Sequence, residues 1–428
     1  MRHCNRDNKM KRVISWSLYD WANSAFATSV MAGFFPVFFK QYLSSGNDVT
    51  VSTFQLGTAN SLASLIIALL APFLGAIADK GNAKKKFLIF FAFMGIVMTG
   101  SLCLVAKGEW ILAMAIYVLA TIGFSGGNIF YDALIVDVAA EKKVDFVSAL
   151  GFSLGYLGGG ILFLFNVLMV LSPTTFGLDT AIEAMRISFF SVAIWWAIFS
   201  IPIVVLVKEQ GSKKEFRSQN IVSAGFRQLL GTLKEIRKIQ VIVLFLFGYF
   251  LYIDGVHTII RMAVDYGMSL GFHFQSLIVA LLITQFVGFP CSIVFGMIGE
   301  KLGSKTGIFI GIGVYLIVII WGFFMDREME FFILAIAVGM VQGGVQSLSR
   351  SFYAKIIPKN NSAEFFGFYN MLGRFSAVLG PVLMGWVGLL SGNPRYAILS
   401  VSLLFVSGAV ILAFVNEGKG REAATTFS

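Results

Sequence analysis

Hydrophobic residues fall into twelve long runs that are separated by short polar segments. The runs cover residues 14–39, 54–78, 87–106, 111–138, 147–171, 187–207, 239–264, 275–298, 307–325, 331–356, 365–390 and 396–415. At about 1.5 Å of rise per residue, helices of this length match the roughly 30 Å hydrocarbon core of a bilayer. No stretch alternates in the manner of a membrane β-strand. The pattern therefore predicts an all-α membrane protein with twelve transmembrane helices.

The composition supports this class and argues against an enzyme. The chain is 57% hydrophobic and 13% charged, whereas a soluble domain has about 45–50% apolar and about 25% charged residues. Its three cysteines are scattered, and its three histidines form no metal-binding pair. No glycine-rich loop has the form that binds nucleotide phosphates. We expect no enzymatic activity, no metal and no other cofactor.

The basic residues orient the helices. Of the 33 Lys and Arg residues, 25 lie in the termini and alternate segments on one side, whereas the other side carries Lys40, Lys107, Arg186, Arg327 and Arg395. Cytoplasmic segments are enriched in Lys and Arg, so both termini are expected in the cytoplasm. The first run is full span length and predicts a retained signal anchor in the cell membrane. Because the basic residues lie between the apolar runs, we attribute the net charge of +10 to the cytoplasmic segments that orient the helices in the lipid bilayer. No nucleic-acid partner is expected.

A basic central segment divides the helices into six and six. We predict an N-terminal six-helix bundle at 1–207, a cytoplasmic loop at 208–238 and a C-terminal bundle with a short tail at 239–428. Apolar residues recur near helical spacing in 221–238, with basic residues between them. This pattern fits an amphipathic helix on an anionic membrane surface, and it fits a solvated linker helix equally well.

The two halves repeat a short motif. Residues 75–80 and 296–301 both read Gly-x-x-x-acid-Lys, 221 positions apart, after the second and eighth runs. A tight turn needs glycine, and an acid beside bases can pair with the neighbouring bundle. We expect a cytoplasmic latch formed by Asp79, Lys80, Glu300 and Lys301.

Four further blocks carry a family resemblance. Residues 19–26 read Tyr-Asp-Trp-Ala-Asn-Ser-Ala-Phe, and the others are 250–261, 342–351 and 364–370. With the duplicated turns, these blocks make the whole chain resemble the major facilitator superfamily, in the branch of autophagy-related vacuolar effluxers and their bacterial relatives. The first turn departs from the usual superfamily motif, because Gly81 stands one position early.

The resemblance implies two pseudo-symmetric six-helix bundles that rock around a central site. It also implies a small-molecule solute, with amino acids as a candidate class, because the eukaryotic relatives are linked to amino-acid efflux from vacuoles. We expect a monomer. The glycine run at 151–160 resembles an exporter signature, although Tyr156 replaces its proline, and helix packing is the simpler interpretation.

Ionisable and amide side chains within the runs are candidates for the transport pathway. Asp20 and Asn23 share one helix face, as do Asp254, His257 and Arg261. A carboxylate in a span costs roughly 2.5–3.5 kcal/mol on insertion scales, so such groups are expected to have a function. Asp20 or Asp254 would couple transport to a proton or another ion, His257 would relay the proton, and Arg261 would attract a carboxylate. The alternative is a set of structural pairs at the bundle interface.

Three other helices add candidates. Asn128, Gln342 and Gln346 are expected to line the pathway, and Arg374 needs an acid or a substrate anion because it lies well inside its span. Asp132 and Arg350 lie near the cytoplasmic ends, which favours a gate salt bridge. Asp20 is about 8 residues into its span and Asp254 about 16. The two match in depth only if the seventh helix begins later or breaks near Gly255.

Together these observations predict a secondary transporter for a small polar solute, working by alternating access, coupled to protons and a candidate exporter. The alternatives are a non-transporting receptor or scaffold on a transporter fold, and an uncoupled facilitator.

Overall fold

The structure is a computed structural model that describes residues 2–44, 49–209 and 240–426. Its described residues contain 12 helices that are long and apolar enough to cross a membrane. The prediction of an all-α fold with twelve membrane helices is thereby confirmed. The amphipathic helix predicted at 221–238 lies outside the described residues.

Most of the helices are longer than the hydrophobic runs because a polar end extends beyond the apolar core. Helix α1 begins as Arg2–Ala25 and continues through wider π-helical turns at Phe26–Phe34 and Phe39–Leu43. The other helices are α2 (Val49–Gly81), α3 (Lys84–Ser101), α4 (Trp110–Ala133), α5 (Val144–Leu171), α6 (Ala181–Leu206), α7 (Gln240–Ser269), α8 (Phe274–Leu302), α9 (Ser304–Phe324), α10 (Glu328–Ile356), α11 (Ser362–Ser391), α12 (Pro394–Ala413, with a turn at Val401) and α13 (Glu417–Thr426).

The spanning helices form an N bundle (α1–α6) and a C bundle (α7–α12). Across the interface, α5 packs against α8 and α10, while α2 and α4 pack against α11. The two short basic turns, between α2 and α3 and between α8 and α9, lie where these interface helices end. Residues at these turns are therefore placed to fasten one bundle to the other.

Helix α7 is continuous through Gly255, so it neither begins late nor breaks there. Gly255 instead makes room for the Phe405 ring of α12, which a Cβ atom would approach to 2.6 Å. Asp20 and Asp254 therefore lie at different depths in their membrane spans. Asp254 hydrogen-bonds the backbone of Gly380, whereas Asp20 lies beside Gly151.

The glycine run in α5 brings this helix close to α1, as expected for packing. A Cβ atom at Gly155 would lie 2.6 Å from Ser24 Oγ, and one at Gly158 would lie 2.6 Å from the Trp21 ring. Small residues permit close helix approach without strain. The run thereby fixes α1, which carries Asp20, against the helix that contacts the C bundle.

We expect Gly123→Ala to destabilise the N bundle. A Cβ atom at position 123 would lie 2.5 Å from the backbone nitrogen of Gly95 on α3, where neither backbone can yield easily. Overpacking costs about 1–3 kcal/mol, so the melting temperature of the purified protein should fall. Gly57→Ala is the matched control, because its Cβ atom would meet nothing within 4 Å. Equal melting temperatures for the two variants would contradict this packing.

Candidate functional site

A buried arginine near the end of α10 joins the two bundles. Arg350 of α10 lies 3.0 Å from Asp132 and 3.6 Å from Asp20, both in the N bundle. Its guanidinium also donates to Ser148, through Nε to the hydroxyl at 2.9 Å and through Nη2 to the carbonyl at 2.8 Å. Tyr131 donates to Asp20 at 2.9 Å. We call these five residues the gate cluster.

The gate cluster holds two carboxylates for one guanidinium. Asn370 of α11 donates to the second oxygen of Asp132 at 3.0 Å. The Arg350 side chain is 3% exposed, and those of Asp20 and Asp132 are 13% and 11% exposed. Sequence reasoning assigned Asp132 and Arg350 to a gate, and the structure brings them together across the interface. Asp20 was expected in the pathway and lies in the same cluster.

A second set of contacts closes the interface beside the α2–α3 turn. Asp79 accepts hydrogen bonds from the backbone N–H groups of Ala363 at 3.1 Å and Glu364 at 2.8 Å, in the first turn of α11. A carboxylate is favourable at a helix N-terminus because it satisfies free N–H groups and interacts with the helix dipole. Lys84 adds a hydrogen bond to Ser362 at 2.7 Å. The α2–α3 turn thus holds the start of α11.

The pseudo-symmetric turn between α8 and α9 is fastened to the start of α5. Asp145 accepts from Lys355 at 2.5 Å and from Ser304 at 2.9 Å. Glu300 forms an ion pair with Lys143 at 2.8 Å. We call these contacts and those of Asp79 and Lys84 the latch. Among the predicted latch residues, Lys301 is exposed and Lys80 is half-buried, and their roles remain predictions.

The segment after α6 is tied to the same end of the molecule. Glu209 accepts hydrogen bonds from the backbone N–H groups of Lys84, at 3.2 Å, and Lys85, at 2.7 Å, at the start of α3. Burial raises the pKa of the Glu209 carboxyl, while the Lys85 N–H and the Lys84 charge act in the opposite direction. Glu209 therefore fixes the backbone at Lys84, whose side chain belongs to the latch.

Two arginines of the C bundle face α4 of the N bundle. Arg374 of α11 lies over the Phe124 ring at 5.8 Å, and Arg261 of α7 interacts electrostatically with Tyr117. Arg261 is exposed and Arg374 is half-buried. Within residues 2–44, 49–209 and 240–426, no carboxylate forms an ion pair with either guanidinium. Because they also repel one another, we treat them as one cationic site, the arginine pair.

Half-buried polar groups lie on α7 and α4, the helices that carry Arg261 and Phe124. His257 lies 3.5 Å from the Ser376 hydroxyl and within electrostatic range of both arginines. Asn128 of α4 is half-buried and accepts a hydrogen bond from Asn23 of α1 at 2.6 Å. Partial exposure of such groups inside a helical bundle indicates a solvent-accessible space between the bundles.

Asp254 lies apart from this space. It is fully buried, and it accepts two hydrogen bonds from the Gly380 N–H, at 2.9 and 3.1 Å, and one from Thr258 at 3.4 Å. These contacts join α7 to α11 within the C bundle. Asp254 interacts electrostatically with Arg261 but forms no ion pair with it in the described part of the chain. The structure thus brings Asp20 to the gate cluster and leaves Asp254 in a separate one.

The glutamines of α10 lie on the interface with α5. Gln342 is buried, Gln346 is half-buried, and the Tyr156 ring packs against Gly343 between them. A cavity in the C bundle extends from Gln342 to Ile260 on α7 and is lined mostly by apolar side chains. The polar interface therefore borders an apolar space.

Sequence reasoning missed several contacts that fasten the bundles. The missed residues are Lys84, Asp145, Ser148, Lys355 and Asn370. Charged residues at helix ends are usually solvated, so Asp145 and Lys355 gave no distinct signal. The repeat at Asp79 and Glu300 could have directed attention to the opposing ends of α5 and α11.

We expect Lys355→Met to open the latch. Removing one partner of a buried ion pair costs about 3–5 kcal/mol, and opening this end lets water solvate Asp145. Ser153, which donates to the Phe289 carbonyl across the interface at 2.8 Å, provides the reporter. A Ser153→Cys residue should react at least about tenfold faster with a maleimide in the Lys355→Met background.

Lys359→Met is the matched control, because Lys359 is 64% exposed and pairs only loosely, at 3.8 Å, with Glu141. If both lysine variants label at the same rate, Asp145 and Lys355 do not hold this end closed.

Comparisons with known proteins identify the family of the chain. The family described as "Vacuole effluxer Atg22 like" matches residues 8–145 and 137–425. The MFS-type transporter YxiO of Bacillus subtilis (strain 168) is 42% identical over 409 residues, which cover 95% of each chain. Autophagy-related protein 22 of Kluyveromyces lactis is 23% identical over 487 residues, covering 99% of this chain and 96% of that protein.

The fold has solved counterparts. The structure of the major facilitator superfamily proton:xylose symporter XylE, bound to 6-bromo-6-deoxy-D-glucose, superposes with a TM-score of 0.73 at 11% identity. The superposition covers 99% of this chain and 100% of the XylE chain. At this sequence identity the similarity concerns the fold alone. The chain belongs to the Atg22-like vacuole effluxer family, within the major facilitator superfamily of transporters.

Proposed function

We propose that this protein is a secondary transporter that moves a small carboxylate-bearing solute by alternating access, with amino acids as the candidate class and export as the candidate direction. Membership of a transporter family supports the transport step. The solute class, the coupling ion and the direction are inferences from the site.

The arginine pair carries the proposal. A charged group inside a membrane protein is costly unless it is paired, hydrated or neutralised by a ligand. Arg350 is paired with acids of the opposite bundle, whereas Arg261 and Arg374 repel one another and face the space between the bundles. A bound carboxylate would relieve this repulsion, and Arg presents a planar fork that matches a carboxylate. The amides of Asn128 and Gln346 add donors and acceptors for other polar groups of the solute.

The orientation follows from the basic residues. The latch lies beside the lysine-rich turns, and such turns are enriched in the cytoplasm. The closed end is then cytoplasmic, and the conformation is outward-facing in the cell membrane. The solute site, between α4, α7 and α11, opens to the opposite side.

The gate cluster supports coupling to protons. In the closed state Arg350 and Asn370 neutralise or hydrogen-bond Asp20 and Asp132. Both partners belong to the C bundle, so opening the cytoplasmic end withdraws them together. Two neighbouring carboxylates left without a cation do not both stay ionised easily. One proton taken up by Asp20 or Asp132 would make the open state accessible.

We expect Arg261→Gln and Arg374→Gln each to reduce uptake of carboxylate solutes by at least tenfold in proteoliposome counterflow. Loss of one charge-assisted hydrogen bond, about 1.5–3 kcal/mol, corresponds to this order of change. Arg395→Gln is the control, since Arg395 pairs with Asp326 away from the site. A panel of amino acids and organic anions that stabilise the wild type, but not the two site variants, against heat would identify the solute. Unchanged binding in both variants would contradict the proposal.

We expect Asp20→Asn to uncouple transport. Without a titratable group at this position, solute should still exchange in counterflow, but a pH gradient should no longer drive accumulation. Asp265→Asn, on an exposed position of α7, should behave as the wild type. If the wild type itself ignores the pH gradient, an uncoupled facilitator replaces the coupled carrier, and no exchange of any solute would favour the scaffold alternative.

A further inference from the structure

Three aromatic rings surround the Arg350 guanidinium. Its central carbon lies 4.4 Å from the centre of the Phe152 ring, 4.9 Å from that of Trp16 and 5.3 Å from that of Tyr131. These distances fall within the range of cation–π attraction. Together with the two carboxylates of the gate cluster, the rings form an enclosure that we call the cation cage. Its members are Trp16, Asp20, Tyr131, Asp132 and Phe152.

Every member of the cage belongs to the N bundle, while the cation inside it comes from the C bundle. The cage is also held by its own contacts. Trp16 donates to the Tyr131 carbonyl at 2.9 Å, and the two rings stack at 4.3 Å with an interplanar angle of 12°. Tyr131 in turn donates to Asp20. These contacts of Trp16, Tyr131 and Asp20 lie within the N bundle, so separation of the bundles at this end would remove the cation without breaking them.

Aromatic faces combined with carboxylates select organic cations. Enclosures of this kind recognise ammonium and guanidinium groups, since the rings favour a weakly hydrated cation over a strongly hydrated metal ion. We propose that, in the state open at the cytoplasmic end, the cation cage binds the ammonium or guanidinium group of an organic solute, and that Arg350 is a tethered cation that competes for the same place. This inference rests on the alternating access proposed above.

The position of the cage relative to the arginine pair suits a zwitterion. Asn370, which contacts Asp132, and Arg374 are four residues apart and therefore share one face of α11. Arg374 also interacts electrostatically with Asp132. A solute with an ammonium group in the cage would thus place its carboxylate toward the arginine pair. An amine without a carboxylate would occupy the cage alone.

The test uses the full-length protein in nanodiscs and probes that carry no carboxylate. Methylguanidinium and tetramethylammonium are the cage probes, and potassium and propionate at equal concentration control for ionic strength and for anion binding. In Arg350→Ala, whose cage has no tethered cation, both cage probes should raise the melting temperature and the two controls should not. Phe152→Leu in that background should weaken probe binding about tenfold, whereas Phe165→Leu, on an exposed position of the same helix, should not.

A second measurement does not depend on the folding of Arg350→Ala. In a protein that carries Ser153→Cys and serine in place of Cys4, Cys103 and Cys291, cage probes that compete with Arg350 should favour the open state and speed maleimide labelling. If neither cage probe changes the labelling rate or the melting temperature, the cage binds only the Arg350 side chain and the inference is wrong. Because the probes bypass the arginine pair, this failure is distinct from a failure of Arg261→Gln or Arg374→Gln to alter transport.

Discussion

The structure depends on a buried cation that crosses from one bundle to the other. Moving an ion out of water costs several kcal/mol even after relaxation, so Arg350 is stable in its place only while the N bundle supplies acids, a serine and aromatic faces around it. When the bundles separate, water replaces these partners of Arg350, and the acids that it leaves behind must be hydrated, protonated or paired again. The group that compensates those acids therefore decides how readily the closed state opens.

The sequence predicted the helices well because apolar runs of span length have few alternative structures in a bilayer. It also favoured a salt bridge between Asp132 and Arg350, since both stand close to helix ends, and the structure has this ion pair, whereas their role as a gate stays a prediction. It could not identify Asp20 as their partner. The spacing of Asp20 and Asn23 indicated which helix face Asp20 occupies. Its contact with Arg350, however, joins residues 330 positions apart and depends on how the two bundles pack.

Pseudo-symmetry explains why Asp20 and Asp254 were matched and why their chemistry differs. Both acids lie where the first helix of a bundle packs against its fifth. Asp20 lies beside Gly151, 7 residues after the start of α5, whereas Asp254 binds the backbone of Gly380, 18 residues after the start of α11. The repeat thus preserves the packing of the two helices. A shift along the helix gives Asp20 a side-chain partner from the other bundle, Arg350, and gives Asp254 a backbone N–H of its own bundle.

Helix α11 links the two charged sites. It carries Asn370, which binds Asp132, and Arg374, which attracts Asp132 at longer range and belongs to the proposed solute site. An anion bound at Arg374 would screen that attraction and weaken the hold of the C bundle on the gate cluster. Coupling between sites is reciprocal, so a proton or ammonium group that neutralises Asp132 would in turn change the affinity of Arg374 for an anion. One helix can therefore relate solute occupancy to the opening of the gate, without any contact between the solute and Arg350.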